Sequence, residues 1–123
     1  MGRILLLALL LYPAMPKTGS FGHHLAKLRA AASTHDMKSF ARLTTGDFTV
    51  GEELDRASSL ALVHLPAVVR LIDRGACYRT GPGLVQCELP DPGPSLDHTK
   101  LSHSTIAIFE HTKHGWRLGL FSA

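Results

Sequence analysis

The chain has 123 residues, 13 of them Lys or Arg and 10 Asp or Glu, for a formal net charge of +3 with its eight histidines neutral. Residues 1–20 hold Arg3 and Lys17 and no acid, so the remainder carries 11 basic against 10 acidic side chains and is close to neutral. No Lys/Arg cluster interleaved with aromatics is present, so no nucleic-acid surface is expected, and the length suits one small domain.

The first element is Arg3 followed by the unbroken apolar run Ile4 to Leu11, then Tyr12-Pro13 and small or polar residues. A charged residue ahead of a short apolar run is the layout of a secretory signal peptide. Spanning a bilayer takes roughly 20 apolar residues, and Pro13 and Pro16 interrupt any continuation of this run. No permanent membrane anchor is expected, here or later. Thr18-Gly19-Ser20 is the best cleavage position, which makes 1–20 a signal peptide and 21–123 a single α+β domain beginning near Phe21. A buried N-terminal strand or helix is the other reading of the same run. The expected location is secreted or periplasmic.

Leu25, Leu28 and the alanines at 26, 30, 31 and 32 form a helical stripe after Gly22-His23-His24, which predicts a first helix to about Ser33. Asp36 is placed to cap a short second helix in which Met37, Phe40, Ala41 and Leu43 or Thr44 recur, ended by Gly46. Phe48-Thr49-Val50 predicts a strand between Asp47 and Gly51. From Leu54 through Ala61, Leu65, Val68 and Ile72 the apolar spacing is helical up to Gly75, with Pro66 inside it. Proline in a helix interior removes a hydrogen bond and clashes with the preceding turn. A kink or a break near His64 is expected, and the unbroken phase favours the kink.

Cys77 and Cys87 lie symmetrically about Gly81-Pro82-Gly83. A hairpin folded there sets Thr80 opposite Leu84 and Cys77 opposite Cys87, where directly opposed cysteines can meet disulfide geometry. Two free thiols, or half of a metal site, are the alternatives, the latter weakened by the lack of CxxC spacing. Pro90, Pro92 and Pro94 then predict a loop able to close over a sheet mouth or meet a partner. Ser104 to His111 and Trp116 to Ser122 read as two strands around Thr112-Lys113-His114-Gly115. Alternation puts Ile106 and Ile108 on one face, Thr105, Ala107 and Phe109 on the other, and Trp116, Leu118 and Leu120 together. Early helices followed by consecutive hairpins predict an α+β fold with helices packed on a curved antiparallel sheet.

Two segments carry a family resemblance: Leu28 to Phe40, helix, then Asp36, then helix, and the closing Gly115-Trp116-Arg117-Leu118. In these the chain resembles the nuclear-transport-factor-two-like superfamily, with its cystatin-like α+β cone shared by ketosteroid isomerases and many small exported domains. Leu71-Ile72-Asp73-Arg74-Gly75-Ala76-Cys77 is similar to uncharacterised bacterial periplasmic domains in which such a helix leads into a hairpin. The resemblance implies a cone, trimmed here because the chain is short, and a superfamily that hosts both enzymes and binding domains.

The enzymatic version implies a carboxylate and a hydrogen-bond donor in an apolar pocket. Asp36, Asp47 and Glu110 are the candidate acids, with Tyr78 and His64 as partners. Asp36 reads more simply as a cap, Glu110 as exposed near its turn and His64 as a boundary residue. His23, His24, His98, His103, His111 and His114 are the candidates for a metal site, but no HExxH motif or paired-Cys motif joins them and scattered surface histidines are expected. Phe48, Tyr78, Phe109 and Trp116 are the candidate walls of an apolar ligand pocket, or equally the core, with Phe40 beside them. No phosphate-binding Gly-rich loop or hydrolase elbow is present. The expected function is a non-catalytic binding or accessory role toward a small apolar ligand or a protein, with no cofactor. A cone enzyme using an Asp/His proton shuttle and a histidine metal carrier are the alternatives.

Overall fold

The computed structural model describes residues 12–90 and 104–123. The Pro-rich segment after Pro90, with His98 and His103, and the apolar run to Leu11 lie outside the described residues. Helix α1 (Gly19–Ser33) is followed by α2 (Met37–Arg42), β1 (Thr44–Val50), α3 (Arg56–Leu62), α4 (Leu65–Arg74) and four strands: β2 (Ala76–Gly81), β3 (Leu84–Pro90), β4 (Ser104–Thr112) and β5 (Gly115–Ser122). The strands form one sheet in the order β1-β5-β4-β3-β2. The fold is α+β, with helices packed on one sheet face. β2 to β5 run antiparallel as expected, and β1 joins β5 in parallel.

Two rows of inward side chains build the core. Cys77, Cys87, Ala107 and Phe121 make one, and Val85, Phe109 and Leu118 the other. All are buried beneath Phe21, Leu25 and Leu28 of α1 and Leu65, Val68 and Leu71 of α4. Burial of this apolar surface is the main force holding helices to sheet.

Helix α1 starts at Gly19, two turns before the alanine-rich stripe, so His23 and His24 are helical. Its buried face is Phe21, His24, Leu25, Leu28, Ala31 and Ala32. Asp36 caps α2 as expected, accepting from Ser39 N at 3.1 Å. That helix ends at Arg42, and Thr44 and Thr45 belong to β1, which is longer than the predicted strand and continues through Gly46. Arg56 stabilises the switch from helix to strand by donating to the carbonyls of Ala41 (2.7 Å) and Thr45 (3.0 Å). Near His64 the chain breaks instead of kinking. Val63 and His64 are extended, and Pro66 sits in the first turn of α4, where a missing N–H has no helical partner to lose.

The hairpin of β2 and β3 opposes Cys77 and Cys87 with Cα atoms 4.0 Å apart and sulfurs at disulfide distance. Its turn is tighter than expected: Gly81 pairs with Leu84, Gly83 takes φ +65° as the third residue of a Pro-Gly turn, and Thr80 is displaced into a bulge. A second irregularity lies at Gly119, between the Phe109–Leu118 and Ile108–Leu120 pairs. The extra residue turns Leu120 to the face of Ile106 and Ile108, away from Leu118, so the simple alternation expected from Trp116 to Leu120 fails there.

Residues 12–18, expected to leave with the leader, lie along β2 in the full chain. Arg79 N donates to the Pro13 carbonyl at 2.8 Å and Met15 N to the Cys77 carbonyl at 2.9 Å, bracketing a bridge between Ala14 and Tyr78. Tyr12 stacks on Tyr78 with ring centroids 5.8 Å apart. Lys17 Nζ donates to the carbonyls of Ile72 and Gly75 at the end of α4, where a cation suits the helix dipole.

Candidate functional site

The four aromatics expected to share a pocket occupy different places. Phe48 is sealed in the core against Phe40, ring centroids 6.4 Å apart. Tyr78 is buried under Tyr12 and donates a short hydrogen bond to Glu88, and burial followed by that bond pushes its hydroxyl well above the ordinary range. Phe109 is buried with its ring edge-on to Phe21 at 5.3 Å. Trp116 alone of the four is half-buried and reaches an open concavity.

Trp116 rises from the inner sheet face beside the β4–β5 turn, above Phe21 (5.1 Å) and against His111 (5.0 Å). It forms a wall of two adjoining clefts, which also share Ser20 and His111. One, of about 330 Å³, extends toward the β2–β3 turn and is lined by Met15, Arg79 and Pro82. The other, of about 260 Å³, lies between the first turns of α1 and the β4–β5 turn and is lined by His23, His24, Lys27, His114 and Arg117. A larger depression of about 390 Å³ separates α1 from α2, but its Asp36 and Thr34 are engaged in capping bonds to Ser39 and the Ala30 carbonyl.

His24 is the unusual member. Its side chain is about 95% buried by the 5% exposure it retains, its ring lies edge-on to Phe109 at 5.7 Å, and its Nε2 has no hydrogen-bond partner among the described residues. Burial, then the nearby positive charges of Arg117 and Lys27, lower its pKa to about 4, so the imidazole is neutral at ordinary pH. A buried polar nitrogen left unpaired costs about 1–3 kcal/mol. Thr45 Oγ1 is the other such atom among the described residues, and it lines neither cleft. The signal for His24 was in the sequence: it stands three residues after Phe21 and four before Leu28, inside the apolar stripe.

The candidate acids do not enter the clefts. Asp36 is held ionised by the Ser39 hydroxyl and backbone, below the usual carboxylate range, as a helix cap. Asp47 is exposed on β1. Glu110 is paired in register with Arg117 and shares the outer sheet face with Ile106 and Ile108. His64 is exposed at the break before α4 and makes no capping bond. His23, His24, His111 and His114 do share one cleft, yet no three His, Cys, Asp or Glu side chains among the described residues converge to hold a metal.

No family model and no curated protein matches the chain. Solved structures are similar to it in fold. One is a dehydratase candidate of the NTF2-like family from Streptomyces avermitilis, at 12% identity and TM-score 0.47, covering 84% of this chain and 91% of that one. Another is an NTF2-like protein with a cystatin-like fold from Novosphingobium aromaticivorans, at 19% identity and TM-score 0.46, covering 98% and 84%. A third is a candidate calcium/calmodulin-dependent protein kinase II association domain from Xanthomonas campestris, at 12% identity and TM-score 0.45, covering 91% and 93%. At these identities the likeness is one of fold and assigns no role to any residue of this chain.

Proposed function

We propose that this chain is a small exported domain that binds a ligand in the cleft around Trp116 and performs no chemistry on it. The observation that carries the binding reading is the contrast among its aromatics: Phe48, Tyr78 and Phe109 are sealed, while Trp116 stays half-buried as a wall of two clefts. An indole that packs against Phe21 and lines a concavity offers a rigid apolar platform. Export is supported by the Arg3 and Ile4 to Leu11 leader pattern and by the cysteine pair, which persists in an oxidising compartment. Among the described residues no helix is long and apolar enough to cross a membrane. A proton shuttle calls for a carboxylate within reach of the imidazole, and among the described residues no Asp or Glu lines either cleft.

Trp116 is the single tryptophan of the chain, so its fluorescence reports on the cleft without labelling. Titration with neutral flat molecules such as benzyl alcohol and indole is expected to give a saturable change that also protects the indole from iodide quenching. Iodide quenching unaffected by either molecule would contradict the assignment.

A further inference from the structure

The smaller of the two clefts carries charge of one sign. Lys27 and Arg117 line it with His23, His24, His111 and His114, and among the described residues the lining contains no Asp or Glu. The ion pair of the described residues, Arg29 with Asp73, lies elsewhere, on α1 and α4. Arg117 is set at the sheet margin, because β1 begins pairing with β5 only at Thr44 and Leu118. Its Nη1 donates to the Trp116 main-chain carbonyl at 2.7 Å, which holds the guanidinium at this margin of the sheet. Lys27 is one turn along α1 from His23 and His24, and its ammonium is close enough, like Arg117, to oppose protonation of His24.

Two positive side chains that make no ion pair among the described residues, at one concavity, attract an anion. A nearly buried imidazole at the same wall, with Nε2 unpaired, is the independent sign that a polar ligand atom belongs there. The indole beside them suits a flat apolar body. We infer that the cleft takes a small organic anion, a carboxylate or phosphate group carried on an aromatic or similarly flat skeleton. The anionic oxygens lie between Lys27 and Arg117, one of them accepts from the Nε2–H of His24, and the skeleton packs on Trp116. Charge-assisted hydrogen bonds of this kind are the stronger class and fix the ligand's orientation. This inference rests on the Trp116 cleft being a binding site and adds the chemical class of the ligand.

The test uses the full chain with its cysteine pair intact and follows Trp116 fluorescence with four probes: phenyl phosphate, benzoate, benzyl alcohol and benzylamine. At least one of the two anions is expected to bind with saturation about tenfold more tightly than benzyl alcohol, and benzylamine more weakly than either. Whichever of phenyl phosphate and benzoate binds tighter distinguishes a phosphate from a carboxylate head. Lys27→Ala and Arg117→Gln are each expected to weaken the anion about five- to tenfold and to leave benzyl alcohol unchanged. Equal affinity for anions and benzyl alcohol, or anion affinity indifferent to both substitutions, overturns the charge inference while the Trp116 site stands. Absence of a saturable response to all four probes overturns both.

Discussion

The margin of the sheet at β2 and the cleft at Trp116 are built on the same sheet, yet they treat polar groups in opposite ways. Along β2 the segment from Tyr12 to Lys17 pairs with Cys77 and Arg79, Tyr78 is satisfied by Glu88, and Cys77 is bonded to Cys87. At the cleft, among the described residues, His24 Nε2 is buried without a partner, Lys27 and Arg117 make no ion pair, and the indole is half open. The first region spends its polar groups on the fold. The second leaves them for something else, at a cost in stability, which is how a binding site differs from a core in a domain of this size.

Breaking the closed region should have the largest effect. The Cys77→Ala, Cys87→Ala double variant removes a bond of sequence separation 10 and should lose about 3 kcal/mol in urea unfolding. Unchanged stability would mean that the pair does not clamp the hairpin. The open region should be the part that acid weakens first. Because the folded pKa of His24 is lowered to about 4 from 6.5, the unfolded chain takes up that proton earlier. The contribution of His24 to stability is therefore full above pH 6.5 and is lost as pH falls through the window to about 4, by roughly 2–3 kcal/mol. His24→Phe should flatten this slope, and a slope that survives the substitution would place the acid sensitivity elsewhere.

A chain beginning at Phe21 lacks both main-chain bonds to β2, the Tyr12 stacking and the Lys17 cap, and should be less stable than one beginning at Tyr12 by about 2 kcal/mol. Equal stability would show that residues 12–18 add nothing to β2, and intact mass of the protein recovered after expression of the full sequence tells which start is used. The smallest effect sharpens the contrast from the other side. Lys27→Ala should change stability by no more than about 0.5 kcal/mol, since Lys27 is exposed and makes no ion pair among the described residues. A larger loss would make Lys27 a structural residue.

The closed region was largely legible in the sequence because its signals are local. Symmetry of Cys77 and Cys87 about a Pro-Gly turn fixes their register whether or not Thr80 bulges, and Asp36 needs only Ser39 three residues on. The parallel pairing of β1 with β5 was not legible, since its partners are separated by about seventy residues and nothing in Thr44–Val50 specifies direction. One extra residue at Gly119 reverses the facing of Leu120, and period-two alternation carries no mark of where a bulge falls. For the site, composition identified the aromatics but not their exposure: Phe48 and Trp116 look alike until Phe40 covers one and a cleft opens beside the other. Residue type does not separate His24 from the surface histidines; its place in the stripe of Phe21 and Leu28 does.

The most direct measurement is the imidazole ¹⁵N spectrum of His24 at pH 7, recorded on the full chain alone and with saturating phenyl phosphate or benzoate. A neutral ring whose Nε2 resonance moves on addition of the anion, in step with the Trp116 fluorescence change, is the predicted result. A ring already charged, or an Nε2 resonance that neither anion moves, would contradict a cleft whose unpaired groups await an anionic ligand.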